Sequence, residues 1–247
     1  MTVEFTTNVD TAEPPASTLL AAFPGPGMAA VSAHQYIIER LGLQETGHVQ
    51  VEGIPAVTPY EDGRPHHHTR LFSKPGFDYT ILLSELPIPI QFSEPFGRDI
   101  INWIDTEGVK EVALLTAIPS LNSSEKLAYV ASEDYHRARL QDSDISMIPL
   151  SGGFLTGVNA SLISRSMNTS LRVGVLATGA NPWQPLDGEA TLRLVEGVAD
   201  LYDFSIDTSD LRTFANRTRQ HYEQLAAQVE AHQQEQTQVA PEDYGYM

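Results

Sequence analysis

Short apolar runs alternate with amphipathic stretches that end on glycine along most of this chain. That alternation limits the fold more than any other feature. Residues 112–117 are almost continuously apolar, as a strand covered on both faces must be. Residues 18–23 and 171–177 read the same way, and residues 46–51, 69–72, 80–86 and, more weakly, 127–132 are further strand candidates. Between them the spacing predicts helices over 28–41, closed by Gly42, and over 95–107, opened by Pro95 and closed by Gly108. A short helix near 135–140 and longer ones over 157–167 and 187–202 complete the series. Strands that alternate with helices imply a mostly parallel sheet with helices on both faces, an α/β fold of three α/β/α layers.

The ends read differently. Residues 1–17 are polar and expected to be a flexible N-terminal arm, and the α/β domain occupies 18–207. From Ser209 one long helix runs to about Gln238, taking up residues 208–238. Leu211, Ala215, Thr218, Tyr222, Leu225, Val229 and His232 recur at spacings of four and three, a heptad-like stripe. Such a stripe packs either on its own domain or on a second chain. Residues 239–247 form a polar tail after the helix; with little to bury, it is expected to be mobile.

Charge narrows the partners. The net charge is −17, and Lys74, Lys110 and Lys126 are the only lysines. An acidic, lysine-poor surface stays hydrated and dispersed where salt screens charge over a few ångströms, the pattern of a halophile. The competing reading is an acidic protein that binds a basic partner. Nucleic acid is disfavoured, because phosphate contacts need a basic stripe. No apolar run reaches the roughly 20 residues that span a bilayer, and the polar start lacks the pattern of a signal peptide. The expected location is cytoplasmic, without membrane contact. With no cysteine, disulfides, thiolate metal sites and cysteine nucleophiles are excluded.

Two glycine-rich strand-to-helix crossings are the candidate ligand site: Pro24, Gly25 and Gly27 before the first helix, and Ser151, Gly152 and Gly153 before the helix at 157. Bare backbone at such crossings can approach a ligand at the carboxyl end of a parallel sheet. Against a pyrophosphate, Pro26 removes one N–H donor, no Walker lysine follows, and the chain is itself anionic. A tight structural turn accounts better for Gly25 and Gly27, and close backbone packing for the second loop. Ser151 lacks the Gly-x-Ser-x-Gly elbow of a nucleophile. His66, His67 and His68 are adjacent in a loop and cannot all converge on one ion. No catalytic residues, metal or cofactor are assigned.

Read together, the motifs resemble the PAC2 family, the proteasome assembly chaperone 2-like proteins. The resemblance rests on Phe23-Pro24-Gly25-Pro26-Gly27 leading to Tyr36-Ile37-Ile38, on Ser151 through Gly157, and on Leu176-Ala177-Thr178 through Asp187 and the helix beyond. It covers about residues 18–215. It implies a phosphorylase/hydrolase-like fold, self-association as a homo-oligomer, no catalytic residues, and an archaeal, salt-adapted member. It further implies proteasome α-subunits as partners, met by a C-terminal hydrophobic-Tyr-X motif in a pocket of the α-ring. Tyr246 and Met247 match the last two positions. Gly245 stands where the motif has a hydrophobic residue, and Tyr244 can supply that contact one position earlier. The implied function is a non-enzymatic proteasome assembly chaperone or α-ring binding protein. The alternative is a nucleoside-like ligand-binding protein or hydrolase that uses a cleft between the two glycine loops.

Overall fold

The computed structural model describes residues 6–119, 127–141, 143, 145–181 and 183–238. In chain order the elements are β1 (Thr6–Thr11), β2 (Thr18–Ala22), α1 (Ala29–Leu41), β3 (Gln44–Glu52), β4 (Tyr60–Glu61), β5 (Arg64–Pro65), β6 (Thr69–Ser73), β7 (Thr80–Ser84) and α2 (Ser93–Glu107). There follow β8 (Glu111–Ile118), β9 (Ala128–Ala131), α3 (Glu133–Tyr135, continued by a π turn over His136–Leu140), β10 (Ile148–Pro149), α4 (Gly157–Ser166), β11 (Arg172–Gly179), α5 (Gly188–Leu201) and α6 (Ser209–Gln238).

Nine strands form one sheet in the order β1-β3-β6-β7-β2-β8-β11-β9-β10. Its centre, β7-β2-β8-β11, is parallel throughout. The β1, β3 and β6 flank is antiparallel, as is β9 against β11. The apolar runs belong to the parallel centre because both of its faces are covered. Leu20, Ala22, Ala113, Leu115 and Leu176 face one core with α1 and α5. Their neighbours Leu19, Ala21, Val112, Leu114 and Val175 face a second core with α2 and α4. Successive strand residues point to opposite faces, so each run feeds both cores and three layers result.

The helix stops are where the glycines place them. Gly42 and Gly108 take left-handed conformations, φ 63° and 74°, and close α1 and α2 through backbone N–H bonds to Glu39 and Asp105. Asp187 caps α5, its carboxylate accepting from the Ala190 N–H at 2.9 Å.

Two segments correct the reading from sequence. Residues 6–11, expected within a flexible arm, pair with β3 in full register from Thr6 opposite Glu52 to Thr11 opposite Gly47. An edge strand half open to solvent needs few apolar residues, so its polarity resembled that of an arm. Residues 60–65, expected as loop, form a small hairpin. Asp62 and Gly63 both adopt positive φ, 48° and 75°, at its turn.

α6 is about 45 Å long at 1.5 Å per residue. Its stripe is buried only where it begins. Leu211 and Ala215 pack on the body, and a Cβ on Gly188 of α5 would lie 3.0 Å from Ala215. Thr218 and Tyr222 are half-buried, and Leu225 is 41% exposed. Over its first turns the helix therefore packs on its own domain.

Candidate functional site

The parallel strands end together, and the segments that leave or enter at this carboxyl edge carry every described residue expected at the site. Residues 23–28 follow β2, 86–92 follow β7, 180–187 follow β11, and 150–156 enter α4. The first of these lies between the two helical layers. The Phe23 ring meets Phe96 of α2 edge to face at 5.8 Å. On the other side the Gly27 carbonyl accepts from the Asp187 N–H at 2.9 Å. Gly27 has φ 61°, and a Cβ there would stand 2.7 Å from the Asp187 Cβ. Glycine is thus needed for packing onto the α5 cap, and Met28 is left in a left-handed conformation at φ 49°. Gly25, by contrast, has open space around it.

The second glycine loop differs from expectation. Gly152 and Gly153 touch nothing within 4 Å of a would-be Cβ, so close backbone packing does not explain them. The loop stands out into solvent, with Gly153 at φ 144° and Ser151 exposed. Leu155 alone is tucked toward the core. Two cavities among the described residues lie elsewhere, against α6. One of about 340 Å³ is walled by Tyr36, Glu39, Leu186, Leu211 and Phe214. Another of about 250 Å³ is walled by Asn181, Glu189, Arg219 and Tyr222. Neither has Pro24, Gly25, Gly27 or residues 151–153 in its wall.

The three adjacent histidines diverge. His66 Nδ1 sits 3.4 Å from the Glu85 carboxylate, His67 stacks on His48 with centroids 3.7 Å apart, and His68 bonds the Thr69 hydroxyl at 2.9 Å. Burial, then the neighbouring His48, pushes His67 below the usual imidazole range. No cluster of three or more potential ligands able to hold a metal occurs among the described residues.

Sequence reasoning missed a buried polar network at the opposite end of the sheet. Glu111, the first residue of β8, is fully buried. Its carboxylate lies 2.7 Å from Arg139 Nε and 2.7 Å from Arg172 Nε. The Arg139 guanidinium lies over the Tyr202 ring at 4.8 Å, and the Tyr202 and Tyr135 hydroxyls bond at 2.8 Å. Burial pushes both phenols well up, so they stay neutral. His34 is also buried, with Nδ1 3.2 Å from the Ala30 carbonyl, and desolvation lowers it to about 4. Glu111, His34 and the two tyrosines are buried in the core, while Arg172 also lines a cavity of about 240 Å³ with Asp134, Arg137 and Ser170.

The family model of the PAC2 family matches residues 19–226. The chain belongs to the PAC2 family. The matched span starts in β2 and ends within α6, so this PAC2 domain comprises both cores and the packed half of the long helix. An uncharacterised protein of Methanocaldococcus jannaschii is 23% identical over 213 residues, 85% of each chain. Among solved structures, Pyrococcus furiosus PbaA, an archaeal homologue of proteasome-assembly chaperone, is similar with a TM-score of 0.75 and 17% identity. The match covers 93% of this chain and 96% of PbaA. Pyrococcus furiosus PbaB, an archaeal proteasome activator, matches with a TM-score of 0.73 and 13% identity, over 89% of this chain and 98% of PbaB. At these identities the similarity shows a shared fold. The expected docking residues Tyr244, Gly245, Tyr246 and Met247 lie outside the described residues.

Proposed function

We propose that this PAC2 protein is a non-enzymatic proteasome assembly chaperone or α-ring binding protein. The observation that carries the reading is the match of nearly the whole chain to the fold of PbaA, within a family model that spans both cores. Docking is by the tail: Tyr246 enters a pocket between α-subunits, the Met247 carboxylate meets a cation there, and Tyr244 replaces the apolar contact that Gly245 lacks. α6 supports this role, since Leu211 and Ala215 of its first turns are buried on the body while Leu225 further along is exposed. One tail alone binds weakly, because inserting it costs ordering entropy. A homo-oligomer presents several tails at high effective concentration and gains avidity. The excess of carboxylates over lysines fits a salt-adapted cytoplasm.

The test is co-purification of the chain with proteasome α-rings in high salt, beside Tyr246→Ala and a form lacking residues 239–247. Recovery of the intact chain with loss of both variants is expected. Equal recovery of all three forms removes the tail from the mechanism, and no recovery of any removes the proteasome reading.

A further inference from the structure

Where β11 begins, a cavity of about 240 Å³ is walled by Asp134, Arg137, Ala138, Ser170 and Arg172. α3 and its π turn supply the first three residues, and the start of β11 with the turn before it supplies the other two. Turns of the π kind recur at functional sites. Ser132, the cap of α3, ties the two sides of the wall together. Its N–H donates to the Val173 carbonyl at 2.8 Å, and its hydroxyl accepts from the Val173 N–H at 3.1 Å.

The wall has hydrogen-bond donors to spare. Arg172 Nε lies 2.7 Å from the Glu111 carboxylate but makes no aligned hydrogen bond, and its terminal amino groups have no partner among the described residues. Glu111 is shared with Arg139, so one carboxylate answers two guanidinium groups. Arg137 pairs with Asp134 at 3.2 Å and Glu133 at 3.5 Å, and all three side chains are more than half exposed. Exposed pairs of this kind are worth about 0–1 kcal/mol, so a ligand can draw Arg137 away at small cost. Glu133 and Asp134 are the only carboxylates in residues 132–140 and 167–172. The Ser170 side chain is exposed, and its hydroxyl has no partner among the described residues. On a chain of net charge −17, this wall sets two cations against one anion.

We propose that this cavity binds a phosphate group, as the free ion or as part of a small monoester, between Arg137, Arg172 and Ser170. The two guanidinium groups come from separate elements and meet an ion from different sides. A tetrahedral oxyanion offers oxygens to both and to the Ser170 hydroxyl, whereas a planar carboxylate serves one fork. Size sets the limit on the rest of the ligand. At about 240 Å³ the cavity is smaller than the roughly 300–1,000 Å³ of pockets that enclose drug-sized molecules, which excludes a nucleotide. Salt removes the objection from net charge. The Debye length is roughly 3 Å at 1 M, so in high salt the ion responds to the wall and not to distant carboxylates. The site lies at the opposite end of the sheet from the glycine loops and is independent of docking by the tail.

Equilibrium dialysis of the full chain against radiolabelled inorganic phosphate tests this, in high potassium chloride at about pH 7.5, where phosphate is largely dianionic. Saturable binding of one phosphate per chain is expected, with a melting temperature that rises as phosphate replaces chloride at fixed ionic strength. Arg137→Gln and Ser170→Asp should each weaken binding at least tenfold. Arg98→Gln, which removes an exposed arginine of α2 paired with Asp99, should bind as wild type does. Arg137→Gln removes only exposed ion pairs, so it decides the matter if Ser170→Asp fails to fold. Glycerol 3-phosphate separates the two sources of the group. Displacement of the label at lower concentration than unlabelled phosphate assigns the site to a monoester, and at higher concentration to the free ion. Acetate should displace nothing. No saturable binding, equal affinity of Arg137→Gln and wild type, or displacement by acetate at the concentration of phosphate overturns the proposal.

Discussion

Replacing Glu111 by alanine leaves two guanidinium groups, Arg139 and Arg172, facing a cavity where one buried carboxylate held both at 2.7 Å. The arginine side chains are only 29% and 35% exposed, so water replaces the lost carboxylate incompletely. Removing one partner of a buried pair costs about 3–5 kcal/mol, because the remaining charge is uncompensated. The upper half of that range applies, since two cations lose one anion and Arg139 is also held over Tyr202. A domain of this size shifts its melting temperature by about 2–4 °C per kcal/mol, which gives a fall of roughly 10 °C or more. Glu111→Gln keeps an acceptor without the charge and should fall between wild type and alanine. Urea and melting curves for the three proteins at low and high salt supply the measurement. The loss should persist at high salt, because a buried pair is screened far less than an exposed one. A cost for Glu111→Ala below about 1 kcal/mol, or one that salt abolishes, would refute the reasoning.

Other expectations follow from single groups. His34 is neutral when folded because burial lowers it to about 4 from 6.5. The unfolded chain binds this proton first, so the stability due to His34 is full above pH 6.5 and is lost as pH falls toward 4. The loss approaches about 3 kcal/mol below that window; His34→Gln should flatten the pH dependence of unfolding between those limits, and an unchanged slope contradicts the assignment. Gly27→Ala strains a φ of 61° and drives a Cβ against Asp187, at about 1–3 kcal/mol. Gly152→Ala meets open space and should stay within about 0.5 kcal/mol of wild type; equal effects in a denaturant titration would refute the distinction. The acidic surface should make the melting temperature rise with added salt as self-repulsion is screened. A salt-independent melting temperature would oppose salt adaptation.

The sequence was readable where local chemistry settles the structure. Continuous apolarity over residues 112–117 marked the central strand β8, and Gly42 and Gly108 marked helix ends. The flank was harder. β1 exists because β3 offers it a pairing edge; Thr6, Thr7, Val9 and Thr11 are β-branched, but with Asn8, Asp10 and a single apolar residue the segment lacks the apolar face that marks a strand. The Asp62-Gly63 turn was a usable hairpin signal, but its neighbours lack the alternating apolar pattern that usually accompanies one. Glu111 could not be distinguished from the many solvated carboxylates, because its partners Arg139 and Arg172 are 28 and more residues away along the chain. The glycine loops were found, and the chemistry assigned to them was only partly right. Gly27 serves the α5 cap, whereas Gly152 and Gly153 pack against nothing.

The proposed docking of this PAC2 protein on the proteasome α-ring runs through Tyr246. The most direct measurement is the affinity of the full chain for assembled α-rings in high salt, determined in parallel for Tyr246→Ala. Saturable binding by the intact chain, weakened at least tenfold by Tyr246→Ala with an unchanged melting temperature, is the predicted result. Indistinguishable affinities of the two proteins, or the absence of saturable binding by the intact chain, would contradict it.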